Sequence, residues 1–164
     1  MLKQKIQEDL KSFLKAKEEL GSSVLRMLIS SLNNREIEKR ANLRRGGKLN
    51  EDEVIKEGQL SDEEIIEVIT SEIRKRREAI AEFEKGKRDD LVEKEKKEME
   101  ILQKYLPEQI GEEELKNLVK EAIEKVGAKD MKDMGKVMAE LMPKTRGRAE
   151  GGTISKYVKE LLFP

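Results

Sequence analysis

Apolar residues recur along this chain at three- and four-residue intervals and form no β-branched cluster with period-two alternation, so the pattern predicts helices and no strand. In the first segment, about Leu2 to Glu18, Ile6, Leu10, Phe13 and Leu14 share one face; Gly21 then reads as a break, with Ser22 or Ser23 as the next cap. A second stripe, Val24, Leu25, Leu28, Ile29 and Leu32, extends toward Ile37 and dissolves at Asn42-Leu43-Arg44-Arg45-Gly46-Gly47. From Gly46 to Leu60 the chain reads as a connection, with one short helical turn capped by Asn50 and Glu53. Ser61-Asp62-Glu63-Glu64 is a capping box, because a serine hydroxyl can accept from the amide three residues on while the glutamate reaches back. It opens a long helix with Ile65, Ile69, Ile73, Ile80 and Phe83, closed by Gly86. The next helix begins near Arg88 or Asp89, carries Leu91, Val92, Met99, Leu102 and Leu106, and stops at Pro107, which has no amide to donate. Four helices of this kind suit a bundle.

The pattern restarts at Glu112 with shorter elements. The acidic turn Glu112-Glu113-Glu114 complements the positive end of a helix macrodipole, and Leu115, Leu118, Val119, Ile123 and Val126 make its apolar face. Gly127 fits the left-handed position after that helix, and Asp130 can cap the next, which carries Met131, Met134, Val137, Met138 and Leu141 until Pro143 ends it. After Lys144-Thr145-Arg146-Gly147-Arg148, a last helix from about Gly152 to Leu162 offers Ile154, Val158, Leu161 and Leu162. The expected organisation is therefore all-α, with two helical subdomains: a four-helix bundle over residues 1–110 and a three-helix unit over 111–164, joined at the seam Pro107 to Gly111.

Composition narrows the chemistry. Only 36% of the 164 residues are hydrophobic and 43% are charged, so many helix faces must remain in water. Lys plus Arg equals Asp plus Glu at 35 each, so any binding to a polyanion has to come from local segregation of charge. With no Cys and no His, thiolate and imidazole catalysis and Cys/His zinc sites are excluded. No phosphate-binding loop or dinucleotide fingerprint occurs, and no cofactor or metal is expected. Neither a signal peptide nor a membrane span is evident, which makes a cytoplasmic protein the default expectation. The Lys and Glu excess without Cys resembles hyperthermophile composition.

Four features could carry function. Ser12-Phe13-Leu14-Lys15 matches the Ser-x-x-Lys pattern of some acylating enzymes, but the companion motifs are missing and the segment reads as ordinary helix. Met131, Met134, Met138 and Met142 recur at helical spacing and read as core filling, with an adaptable partner groove as the alternative. Arg74-Lys75-Arg76-Arg77 wraps around its helix and reads as a solvated face. The basic loop with Lys144, Arg146, Gly147 and Arg148, flanked by Lys136 and by Lys156 and Lys159, is the most concentrated: from Lys129 to Lys159 there are eight cations and four carboxylates. Glycine there would let backbone amides approach a phosphate, whereas the alternative has these cations capping helix ends and keeping the loop soluble. Aromatic residues are only 3% of the chain, which disfavours base stacking and leaves shape and phosphate contacts to a folded RNA.

Tyr105-Leu106-Pro107-Glu108-Gln109, Asp133-Met134-Gly135-Lys136-Val137-Met138 and Leu141-Met142-Pro143-Lys144-Thr145-Arg146-Gly147-Arg148-Ala149, with Glu84-Lys85-Gly86-Lys87-Arg88-Asp89-Asp90-Leu91, resemble the YqeY family, also called GatB/YqeY domain proteins. The C-terminal part is similar to the tail domain of the GatB component of the glutamine-dependent aminoacyl-tRNA amidotransferase. The resemblance implies an up-and-down four-helix bundle followed by a small helical unit. It also implies a non-catalytic, tRNA-binding role accessory to transamidation, with Gly135, Lys136, Lys144, Gly147, Arg148 and Ala149 matching the shared motif; together with the charge pattern, the expected RNA-facing set is Lys136, Lys144, Arg146, Gly147, Arg148 and Lys156. Carbon–nitrogen ligase chemistry would belong to domains of the amidotransferase that this chain lacks. The alternative partner is a protein, an amidotransferase or an aminoacyl-tRNA synthetase, docked through the C-terminal helices. One departure is Glu150-Gly151-Gly152 where Asp-Gly is expected after the alanine, which leaves Gly152 or Thr153 to cap the last helix.

Overall fold

A computed structural model describes residues 1–162; Phe163, one of the dispersed aromatics, lies outside the described residues. Among those described there are eight α-helices, a 3-10 turn at Met131–Asp133 and no strand: α1 Leu2–Ala16, α2 Glu19–Gly46, α3 Glu51–Glu57, α4 Asp62–Lys85, α5 Asp89–Gln103, α6 Glu112–Val126, α7 Met134–Thr145 and α8 Gly151–Leu162. This is the all-α class that the apolar spacing predicts. The chain divides into two compact units, Met1–Tyr105 and Leu106–Pro164.

In the first unit, α1 packs on α2 and α4, α2 also meets α3, α4 and α5, and α4 pairs with α5. Their stripes meet in a core of Ile6, Leu25, Leu28, Leu32, Ile65, Ile69 and Leu102, all essentially inaccessible to water. Each such side chain contributes on the order of 1.5–3 kcal/mol through burial. The turn between α1 and α2 is made by left-handed Lys17, φ 57°, and not by Gly21. Gly21 is buried inside α2, and a Cβ there would lie 2.8 Å from the Phe13 ring, so glycine lets the two helices close on each other. Correspondingly, the Ser22 hydroxyl donates to the Glu19 carbonyl within the helix and caps nothing.

α2 also runs further than its stripe suggests, reaching Gly46 before left-handed Gly47 ends it, with Arg44 paired to Glu51 of α3 across the turn. Both capping boxes form. The Glu53 amide donates to Asn50 Oδ1 at 3.0 Å and the Asn50 amide to Glu53 Oε2 at 2.8 Å; the Glu64 amide donates to Ser61 Oγ at 3.2 Å and the Ser61 amide to Glu64 Oε2 at 2.8 Å.

Three charged groups, Glu36, Arg76 and Glu98, are buried in this unit. Glu36, 5% exposed, accepts from Lys3 Nζ at 2.6 Å, Arg40 at 3.4 Å and the Leu60 amide at 3.4 Å, tying α1 and the chain before α4 to α2. Arg76, 6% exposed, is not part of a solvated face. Its guanidinium reaches Glu98 at 3.0 Å, Glu72 at 3.4 Å and Glu95 at 3.9 Å, between α4 and α5. An unpaired guanidinium could not stay there, because desolvating a charge costs several kcal/mol unless counter-charges and hydrogen bonds offset it.

In the second unit, α6, α7 and α8 enclose Leu115, Val119, Ala122, Val137, Leu141, Ile154 and Val158. Gly127 takes the expected left-handed conformation after α6, φ 63°, and Asp130 caps the 3-10 turn by accepting from the Lys132 amide at 2.8 Å. Pro143 does not end α7. A proline in the last turn forfeits only its own hydrogen bond; the Arg146 amide still reaches the Met142 carbonyl at 3.1 Å, and the buried Thr145 hydroxyl donates to the Leu141 carbonyl at 2.9 Å.

Candidate nucleic-acid interface

The basic segment leaves α7 and turns at Gly147, which is buried with φ 70°, a conformation that a side chain would make strained. Three of its amides are used within the turn. Arg146, Arg148 and Ala149 donate to the carbonyls of Met142, Thr145 and Thr145 at 3.1, 2.9 and 3.0 Å. The turn is further sewn to residues 108–110: Gln109 Nε2 donates to the Gly147 carbonyl at 2.7 Å, the Ile110 amide to the Arg148 carbonyl at 2.8 Å, and Arg148 Nε to the Glu108 carbonyl at 3.1 Å. Two motifs 38 residues apart in sequence are thus the two sides of one clasp. Gly147 contributes to this closure through its carbonyl and its left-handed backbone.

The six candidate residues do not share one partner. Lys136 pairs with Asp133 at 2.9 Å on the first turn of α7; Lys144 lies 3.9 Å from Glu140, which Lys125 of α6 also holds at 2.6 Å. Lys156 lies 3.8 Å from Glu160 on α8, and Arg148 lies 3.4 Å from Glu114 at the start of α6. Arg146 is half-buried and engaged. Lys136 and Lys156 are about as exposed as a helical lysine can be, with 70% and 69% of their side chains accessible. Water screens such pairs, so each contributes little to stability and a phosphate can exchange with the carboxylate.

The charges respond to one another. A hydrogen bond from Lys136 holds Asp133 below its ordinary value and in return raises Lys136; Glu140 is lowered by Lys125 first and Lys144 after it. These shifts favour the charged forms of Asp133, Lys136 and Glu140. Sequence reading missed Lys125, and it missed Gln109, Glu108 and Glu114 as partners of the loop. Lys129 and Lys132, beside Asp133, and Lys159 on α8 form no ion pair among the described residues.

The other candidate features resolve differently. Met134 and Met138 pack on the core as expected, whereas Met131 and Met142 stand 51% and 39% exposed. Ser12 donates to the Glu8 carbonyl four residues back in α1, an arrangement any helix serine can adopt. A cleft of about 430 Å³ between α2 and α4 is lined by Ser31, Asn34, Ser71 and Glu72, but Glu72 is already bound by Lys75 at 2.8 Å and by Ser31 at 3.3 Å. Among the described residues no cluster of three or more potential ligands could hold a metal, and no helix is long and apolar enough to cross a membrane.

A family model described as Yqey-like protein matches residues 3–162. Curated relatives carry the name "Altered inheritance of mitochondria protein 41, mitochondrial". One from Pyrenophora tritici-repentis is 34% identical over 105 residues, 62% of this chain and 58% of its own length. Those from Kluyveromyces lactis and Candida glabrata are 33% and 31% identical, covering 61% and 63% of this chain and 45% and 48% of theirs. The chain spans about half the length of the curated relatives it matches.

Proposed function

The chain belongs to the YqeY-like protein family, and from that premise we propose that its second unit binds the phosphate backbone of a folded RNA, with tRNA as the class, in a non-catalytic role accessory to glutamine-dependent transamidation or tRNA handling. The observation that carries this reading is the placement of Lys136, Lys144 and Lys156 on the outer faces of α7 and α8. Lys159 lies on α8 as well, Lys129 and Lys132 stand in the segment just before α7, and the carboxylates paired with Lys136, Lys144 and Lys156 are in contact with water and readily exchanged. Phosphate contacts need no pocket and no aromatic platform, and they suit a unit most of whose apolar residues are already used for its core.

Arg148 and Gly147 serve this reading indirectly by holding the loop closed. We keep the cytoplasm as the working compartment, although the curated relatives are named as mitochondrial. A filter-binding titration of a tRNA against the intact chain tests it: affinity should fall steeply and linearly in log–log form as salt rises, with a slope set by the number of phosphates neutralised. A flat salt dependence would remove the reading.

Exposed Met131 and Met142 favour a second reading, in which the same unit docks on a protein such as an amidotransferase or synthetase. A pull-down after nuclease treatment at high salt separates the two: a partner retained under those conditions supports docking, and co-purified tRNA lost under them supports RNA binding.

A further inference from the structure

Two lysines from different helices of the second unit converge on one carboxylate oxygen. Lys125 Nζ, in the last turn of α6, lies 2.6 Å from Glu140 Oε1, and Lys144 Nζ, in the last turn of α7, lies 3.9 Å from the same atom. The two ammoniums therefore stand no further apart than those distances laid end to end. Both lysines are exposed and Glu140 is half-buried. Ala122 and Leu141, one turn or less away along the two helices, are sealed in the core and hold the backbones beneath them. In each last turn the helix macrodipole favours a cation whatever Glu140 does.

Resting on the RNA reading above, we propose that Lys125 and Lys144 form a two-ammonium seat for a single phosphodiester of that RNA, and that Glu140 is the resident competitor for the seat. The carboxylate fills it imperfectly. It offers both lysines one oxygen, and of the two only Lys125 is within hydrogen-bonding distance. A phosphodiester carries the same single negative charge but has two free oxygens splayed from one phosphorus, so each ammonium gains its own acceptor. The exchange leaves the local charge unchanged and turns the Glu140 carboxylate to water, at little cost because the pairs it gives up are already screened by solvent. Lys125 thus joins the phosphate-binding set from α6, and Glu140 holds the affinity of the seat below what its two lysines alone would give.

Filter binding of a tRNA to the full chain, arranged as a double-mutant cycle, tests this. Glu140→Gln removes the competitor and should tighten binding severalfold at low salt, a gain that damage to the fold would not produce. Lys125→Ala should weaken binding severalfold and make the salt slope shallower by about one unit. In the Lys125→Ala background, Glu140→Gln should recover little, because one ammonium no longer makes a seat. A gain of equal size with and without Lys125 would reduce Glu140 to a distant negative charge and overturn the assignment, as would a Glu140→Gln chain that binds no better than the native one. Either result leaves the RNA reading standing; absence of tRNA binding by the native chain would remove that reading and the seat with it.

Discussion

The two units draw on the same composition and use charge in opposite ways. In the first, Glu36, Arg76 and Glu98 are buried and paired across helices, so ionic groups help to decide how α1, α2, α4 and α5 register. In the second, the buried set among the described residues is apolar apart from Thr145, and Lys136, Lys144 and Lys156 pair with carboxylates three or four residues away in contact with water. A buried pair cannot be lost cheaply, whereas an exposed one can be exchanged for a ligand. Equal totals of Lys plus Arg and Asp plus Glu conceal this difference, which only placement reveals.

The contrast is broken most severely at Arg76. Arg76→Ala strands Glu98, Glu95 and Glu72 around a void and should cost about 3–5 kcal/mol in urea unfolding, the usual result of removing one partner from a buried ionic cluster. A loss no larger than that of a typical surface substitution would show that the cluster is hydrated and not structural. Next in size is Gly147→Ala in the second unit. With φ at 70° the added Cβ should cost roughly 1–2 kcal/mol, read as a lower thermal midpoint for the second unit's helices.

Acid provides a smaller and graded probe of the first unit. Burial by itself pushes the Glu72 carboxyl up, but hydrogen bonding and charge from Lys75, the Arg76 charge and the Ser31 hydroxyl together hold it below its ordinary 4.5. A carboxyl lowered in the folded state contributes stability that is fully present above 4.5 and is lost as pH falls through the lowered value. Urea midpoints measured from pH 6 downward should therefore fall below pH 4.5 in the native chain, and less so in Glu72→Gln.

Which of these features the sequence discloses depends on the range of the interaction. Asn50 with Glu53 and Ser61 with Glu64 are legible because a capping box closes within four residues, and Gly127 because a left-handed residue after an apolar stripe has a local signature. Gly21 misleads for the opposite reason: its purpose is contact with Phe13 on the preceding helix, which no pattern around Gly21 encodes. Arg76 looks like its neighbours Arg74, Lys75 and Arg77 because burial is decided by α5, some twenty residues away. In the second unit the cations themselves are plain in the sequence, as is the motif containing Gln109. That Gln109 and Gly147 touch, and that Arg148 turns inward to Glu108, is tertiary information only.

The smallest stability effect is expected where the functional effect is largest. Replacing Lys136, Lys144 and Lys156 together by Ala removes exposed charges only, so the urea midpoint of the full chain should move little, by amounts within the roughly 0.5 kcal/mol typical of surface changes.

The most direct measurement is a tRNA filter-binding titration at several salt concentrations, comparing that triple variant with one in which Lys75, Lys85 and Lys97 of the first unit become Ala. The α7 and α8 variant should lose affinity at least severalfold and show a shallower salt slope, by about one unit for each phosphate-binding lysine removed, while the first-unit variant binds as the native chain does. Equal affinities for the two variants, or a greater loss from the first-unit set, would contradict an RNA-binding face on α7 and α8.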